Sequence, residues 1–340
     1  MRILSGVQPS GKLHLGNYFG AIRQFVELQE KGEALYFLAD LHALTSVRDP
    51  KLLTEYTRDV ALDFLALGID PKRSIMFRQS DVQWHAELFW ILSTVTPTAL
   101  MERGTSYKDK IARGLSPNLG LFTYPTLQAA DILVYNSDLV PVGSDQRQHI
   151  EFTRDIATKF NTTYVKGYDP QDPCGGSGKS PKGLLKLPDA HILDASAVVP
   201  GTDGQKMSKS YLNTIDLFGD DKALKKQVMG IVTDSTPVEA PKDASKNNVF
   251  ALLKLFLRAE ELTAVEESFK KGGTGYGDYK KQLLAAFHAR FDEARAKRLE
   301  LAKDPATLED ILRDGAKRAR ALAEPLMDEV RAAVGLPKRW

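Results

Sequence analysis

The chain has 340 residues, with 46 basic and 44 acidic side chains, 43% hydrophobic residues and a single cysteine. That balance excludes a disordered or collagen-like chain, and the length suits one large domain or, better, two. No stretch approaches the ~20 apolar residues of a membrane helix, and the opening MRILSGVQPSGK lacks the apolar segment of a signal peptide, so a soluble, cytoplasmic protein with no membrane partner is expected. Cys174 alone makes neither an internal disulfide nor a multi-cysteine metal site.

In chain order, Arg2–Val7 reads as a short apolar strand closed by the turn Gln8-Pro9-Ser10-Gly11. Beyond Asn17, the residues Phe19, Ile22, Phe25 and Val26 keep helical spacing. Ala34–Ala39 is a continuous apolar run, the mark of a strand buried on both faces. Asp49-Pro50 supplies an N-cap and a first-turn proline for a helix through Leu53, Tyr56, Val60 and Phe64, which Gly68 ends. Ser74–Phe77 and Ile132–Tyr135 are further strand candidates, and Arg147–Phe160 a further helix. Alternation of this kind predicts an α/β fold, a Rossmann-like parallel-sheet nucleotide-binding domain.

From about Asp220 strand signals vanish and helical segments follow at Ala223–Val228, Asn248–Leu257, Asp278–Leu301 and Thr307–Val334. The expected division is a catalytic domain over 1–204, with an inserted loop at about 166–183, and a helical C-terminal domain over 205–340. Residues 1–204 carry 21 basic and 23 acidic side chains, and 205–340 carry 25 and 21. The C-terminal excess leans towards an anionic partner, although solvated helix faces explain it equally well. Within Lys166–Gly183, Gly178-Lys179-Ser180 imitates the end of a P-loop. The glycine needed five residues earlier is Pro173, Pro181 follows directly, and no strand leads in, so an exposed insertion is expected instead.

Two elements carry chemistry. At the first strand–helix junction, His14-Leu15-Gly16-Asn17 opens a helix near Asn17, whose N-terminus suits an anion. His14 there is either a donor to phosphate oxygens or a capping residue, and Gly16 leaves room for a flat base. About 190 residues later, Lys206-Met207-Ser208-Lys209-Ser210 follows a glycine-bounded turn. Two lysines and two serines on such a loop make a mobile cationic clamp for a triphosphate, or, taken alone, a solvated loop.

Together these strings resemble the two signatures of the class I aminoacyl-tRNA synthetases, HIGH and KMSKS. Within that class the chain resembles the tryptophanyl-tRNA synthetases over nearly its whole length, at SGVQPSG, GNYFGAIRQFV, YPTLQAADILVYNSDLVPVGSDQRQHIEFTRDIA, VTDS and GYGDYK. The resemblance implies an ATP-dependent ligase that activates L-tryptophan and transfers it to tRNA(Trp), working as a homodimer with Mg²⁺ on the phosphates. The tRNA would span both subunits, with the helical C-terminal part meeting its anticodon. It implies an ATP site of Gln8, Pro9, Ser10, Gly16 and Asn17, with His14 near the phosphates; Gly143, Ser144 and Asp145 toward ribose or adenine; and main chain near Val198 at the adenine. Lys206, Met207, Ser208, Lys209 and Ser210, helped by Lys110, would grip pyrophosphate.

For tryptophan the resemblance implies Asp131 as acceptor of the indole N–H, surrounded by Tyr124, His42 and Gln146, with Leu4, Val140 and Val142 as apolar walls. The choice of Asp131 has a chemical basis too: indole N–H only donates, so a buried site for it needs an acceptor, and a carboxylate is the strongest. The plain alternative is an aspartate opening a strand at Ala129–Tyr135. Gln128 stands where many bacterial members have methionine, and the 166–183 insertion is absent from the short members. The alternatives are the tyrosine-specific sister, whose usual DQWGN is replaced here by SDQRQHIEFTRD, a catalytically silent RNA-binding paralogue, and a small-metabolite adenylyltransferase.

Overall fold

Five parallel strands form one sheet in this computed structural model, which describes residues 1–104, 118–143, 146–192 and 199–338. They are β1 (Arg2–Val7), β2 (Glu33–Leu38), β3 (Ser74–Arg78), β4 (Leu139–Val142) and β5 (Asp189–Ile192), in the order β3-β2-β1-β4-β5. β1 and β2 pair without interruption from Arg2↔Glu33 to Val7↔Leu38, whereas β1 and β4 pair only at Ile3↔Leu139. The chain therefore leaves β1 to one side for β2 and β3 and returns to its other side for β4 and β5. Such a reversal opens a crevice at the carboxyl ends of the two central strands, the usual ligand position in an open α/β sheet.

Local chemistry accounts for most elements. Five of the six residues of β2 are buried, consistent with helices on both faces. Helix α1 (Leu15–Asn17) runs through a π-helical segment, Tyr18–Ile22, into α2 (Arg23–Leu28), and α3 is the short turn Asp40–Ala43. The Asp49 carboxylate accepts the Lys51 and Leu52 N–H groups, and Pro50 opens α4 (Pro50–Ala66). Gly68, at φ +109, ends it in a conformation that side chains rarely adopt. The following helices are α5 (Trp84–Ser93), α6 (Thr98–Glu102), α7 (Leu119–Leu133) and α8 (Arg147–Tyr164).

Three expectations change. Ile132 and Leu133 are the last turn of α7, and the strand is Leu139–Val142. The helix is hydrophobic enough to be buried on several sides, so its short apolar end has no period that separates it from a strand. The true strand contains Pro141, a residue that argues against strand on sequence grounds. The helix expected near Asn17 begins at Leu15, and β5 carried too weak an apolar run to be recognised.

The C-terminal part is helical among the described residues: α9 (Asp221–Met229), α10 (Asn248–Leu253), α11 (Ala259–Lys271), α12 (Tyr276–Leu301) and α13 (Pro305–Ala333). Of these, α11 had not been expected. Helix α13 lies along the edge strand β3 so closely that a Cβ on Gly315 would sit 1.8 Å from the Met76 carbonyl oxygen. Buried Ala316, Ala319 and Ala323 continue that narrow stripe, which covers an edge that would otherwise expose unpaired backbone. Arg298 on α12 donates to Asp59 and Asp63 on α4, tying the helical part to the sheet's outer layer. Residues 166–183 are mostly exposed turns, organised by Asp172 accepting from Gly176, Ser177 and Ser180, with no helix opening at Ser180. Among the described residues, no helix is long and apolar enough to cross a membrane.

Candidate active site

The crevice between β1 and β4 holds a cavity of about 420 Å³, within the usual range for a small-molecule site. Its lining includes all eight residues expected around the amino acid: Leu4, His42, Tyr124, Gln128, Asp131, Val140, Val142 and Gln146. Gln8 and Gly143 stand at the same cavity, along with Thr45, Ala39 and Phe37. Leu4 and Val140 come from the two diverging strands, and Tyr124, Gln128 and Asp131 from successive turns of α7.

Asp131 is 1% exposed and is therefore an expensive charge unless hydrogen-bonded. Its Oδ1 accepts from Gln79 Nε2 at 2.7 Å and from His85 Nδ1 at 2.7 Å; its Oδ2 accepts from His42 Nε2 at 2.8 Å. His85, itself fully buried, uses its other nitrogen to accept the Tyr135 hydroxyl at 2.8 Å, which fixes the tautomer that donates to Asp131. Burial pushes the Asp131 carboxyl up, but hydrogen bonds and electrostatic attraction from the His42 and His85 rings outweigh it, and the net shift is downward. The result is an ionised carboxylate with Oδ1 saturated and one lone-pair position left on Oδ2. Asp131 lies inside a helix rather than at the start of a strand. Gln79 and His85 were missed in the sequence because they fall in an unassigned turn and in an apolar helix, WHAELFW, where a histidine has no distinctive spacing. Beside Asp131, the Tyr124 hydroxyl is held by His149 Nε2 at 2.8 Å.

The second end of the site is built from chain segments about 190 residues apart. Leu15 N–H donates to the Ile215 carbonyl at 3.0 Å and Leu217 N–H to the Leu13 carbonyl at 3.1 Å, so the segment after KMSKS runs antiparallel to the HLGN segment. Gly16 has no side chain at a point where a Cβ would lie 3.0 Å from the His14 ring and 3.4 Å from the Met207 Cβ. Lys209 lies over the first turn, with Nζ 3.6 Å from where a Gly11 Cβ would be. Buried Pro9 and exposed Ser10 complete that turn, Gln8 donates to Ser46 Oγ at 3.0 Å, and Ser210 N–H is capped by Ser208 Oγ. Lys206 is exposed and Lys209 half-buried.

His14 is 6% exposed, and its Nδ1 finds no hydrogen-bond partner among the described residues. Burial, then the charge of Lys209, lower its pKa to about 4, with Asp216 opposing. It is a neutral imidazole at pH 7, with a buried polar atom that lacks a partner among the described residues. The first N–H groups of α1 are less available than expected: Leu15 N–H is taken by Ile215, and Asn17 N–H by the His14 carbonyl at 2.9 Å. Anion attraction therefore rests more on the lysines and His14 than on the helix end. Burial also lowers the pKa of Lys209, with Asp216 and Asp63 opposing. Lys110, Ser144, Asp145 and Val198 lie outside the described residues.

A donor-seeking carboxylate in an apolar-walled cavity, next to a cationic loop at the sheet's switch point, defines a nucleotide-dependent enzyme of the class I synthetase type. Residues 1–292 match the family model for "tRNA synthetases class I (W and Y)", and the chain belongs to that family. It is 50% identical to the tryptophan–tRNA ligase of Fusobacterium nucleatum, covering 98% of both chains, and 49% identical to that of Rhodopirellula baltica, covering 99% and 100%. Among solved structures, the tryptophanyl-tRNA synthetase of Campylobacter jejuni complexed with ADP and tryptophan superposes with a TM-score of 0.89 at 47% identity, covering 99% and 100%.

Proposed function

We infer that this enzyme activates L-tryptophan with ATP, forming tryptophanyl-adenylate and pyrophosphate, and then transfers tryptophan to the 3′ end of tRNA(Trp). The observation that carries this reading is the Asp131 carboxylate, which accepts three hydrogen bonds among the described residues and so keeps acceptor capacity on Oδ2, at a cavity walled by Leu4 and Val140. An indole has one donor and no acceptor, and meets that site without leaving a buried group unpaired.

The substrate carboxylate is already ionised and attacks the α-phosphorus in line, so no protein general base is needed. The protein's part is positioning and charge stabilisation as pyrophosphate leaves. Tyr124, His42, Gln128, Gln146 and Val142 surround the amino acid. His14, with its proton on Nδ1, donates to a phosphate oxygen, while Lys206 and Lys209, assisted by Met207, Ser208, Ser210 and Lys110, take the charge of the leaving group. Gln8, Pro9, Ser10, Gly16, Asn17, Gly143, Ser144, Asp145 and the main chain at Val198 hold the rest of ATP. Mg²⁺ would arrive with ATP and offset the charge of its phosphates.

The family's role in translation supports a cytoplasmic location, and residues 205–340 would carry the clamp loop and the anticodon contact. A homodimer is proposed, and light scattering at micromolar protein should report about twice 37.7 kDa; a monomer with full aminoacylation contradicts it. The activity itself is tested by ATP–pyrophosphate exchange with each of the twenty amino acids, followed by tRNA charging. Exchange should require tryptophan, and equal exchange with tyrosine would overturn the reading.

A further inference from the structure

Besides its own turn contacts, the clamp loop is held by a residue beyond it. Asn213 is 2% exposed, and its side chain makes three hydrogen bonds: Oδ1 accepts the Ser208 N–H at 2.8 Å, and Nδ2 donates to Asp203 Oδ1 at 2.7 Å and to the Lys206 carbonyl at 3.1 Å. Its own carbonyl accepts the Thr202 N–H at 2.9 Å. Both amide hydrogens are used, in a geometry that calls for an acceptor and two donors on one short planar group, which only asparagine supplies at this reach. Packing is equally tight: a Cβ on Gly201 would lie 2.2 Å from Asn213 Nδ2. The chain enters this position through Leu212, in the left-handed conformation at φ 54 and 93% exposed, so local strain is accepted to deliver the amide.

Those bonds bracket the lysines. Lys206 is held at its carbonyl, and Lys209 follows directly on the amide anchored at Ser208, while Asp203 fixes the preceding turn by also accepting the Gln205 N–H at 3.0 Å. An exposed loop would otherwise sample many conformations, and ordering it during the reaction carries an entropic cost. We propose that Asn213 is a positioning residue for the reaction, presetting the spacing and direction of Lys206 and Lys209 toward the leaving pyrophosphate without touching substrate. The proposal rests on the reading that this loop grips pyrophosphate.

The test measures pyrophosphate exchange for Asn213→Ala, Lys209→Ala and the double variant, with tryptophan binding by calorimetry in the absence of ATP. Asn213→Ala should lower kcat about 10-fold or more while tryptophan affinity stays within about twofold, and the double variant should fall little below Lys209→Ala, because coupled residues do not add. Asp203→Ala, at an exposed position, removes one anchor and should lower kcat by about 3-fold, an effect that disappears in the Lys209→Ala background; it keeps the test open if Asn213→Ala fails to fold. Wild-type kcat in both variants, or losses that multiply with that of Lys209→Ala, would overturn the proposal. Lys209→Ala with wild-type exchange would instead overturn the pyrophosphate reading beneath it.

Discussion

The two ends of the active site are finished to different degrees in the free enzyme. At the amino-acid end, Asp131 already accepts from Gln79, His85 and His42, and its chain of partners continues to Tyr135. At the phosphate end, His14 Nδ1 is buried without a partner among the described residues, and Lys209 is partly desolvated with Asp216 and Asp63 as its opposing charges. On the proposed function, the first end would recognise a neutral ring with one donor, and its polar groups are already paired with one another. The second end would, on the same function, receive a highly charged group that arrives only with ATP. On that reading, preorganisation at one end would supply selectivity, and cationic side chains at the other would supply rate.

The largest effect should come from breaking the finished end. Asp131→Ala strips the buried donors Gln79 and His85 and the half-buried His42 of their acceptor and removes the expected partner of the indole. At about 1–3 kcal/mol per unpaired buried group, kcat/KM for tryptophan should fall by roughly 10²- to 10³-fold in pyrophosphate exchange, with ATP affinity little changed. Values near wild type would remove Asp131 from the site.

Next in size is the waiting end. Lys209→Ala should lower kcat for exchange by about 10²-fold, the scale of one lost preorganised donor. Steady-state exchange across a range of ATP concentrations checks this, and a kcat near wild type would make the loop a bystander.

A smaller effect is written in pH. The folded protein holds His14 near 4, whereas an unfolded histidine titrates at 6.5. Between those values the unfolded chain binds the extra proton, so stability is lost as pH falls from about 6.5 toward 4. Urea unfolding at pH 7 and 4.5 should show wild type losing roughly 2 kcal/mol more than His14→Asn across that interval. Equal losses in the two proteins would contradict the buried, neutral imidazole. Smallest of all, Lys179→Ala in the 166–183 loop should leave ATP affinity within about threefold, since surface changes seldom exceed roughly 0.5 kcal/mol. A tenfold loss would revive a phosphate role for that loop.

Much of this was legible in the residues, for physical reasons that can be named. The strands β1, β2 and β3 and helix α4 announce themselves because buried parallel strands are uninterrupted apolar runs and because Asp49-Pro50 and Gly68 are boundary residues with fixed geometry. The shift to helices after Asp220 was visible in the periodicity. The α7–β4 junction was not: Ile132–Tyr135 is apolar because its helix is buried, and Pro141 hides the strand. At the site, the residues expected to touch substrate carried the family's motifs, and the eight at the amino-acid end line one cavity. Their supports did not. His85 and Asn213 act through contacts 46 residues away and across a tight loop, respectively, and neither leaves a period or spacing in the sequence.

The contrast between the two ends reduces to one titration. Tryptophan is added by calorimetry, without ATP, to wild type, Asp131→Asn and Lys209→Ala. Asp131→Asn should weaken binding about 10-fold or more, because an amide turns a donor toward donors, while Lys209→Ala should bind within about twofold of wild type. Equal weakening by both variants, or wild-type affinity in Asp131→Asn, would contradict an amino-acid end completed in the free enzyme and a phosphate end completed only by ATP.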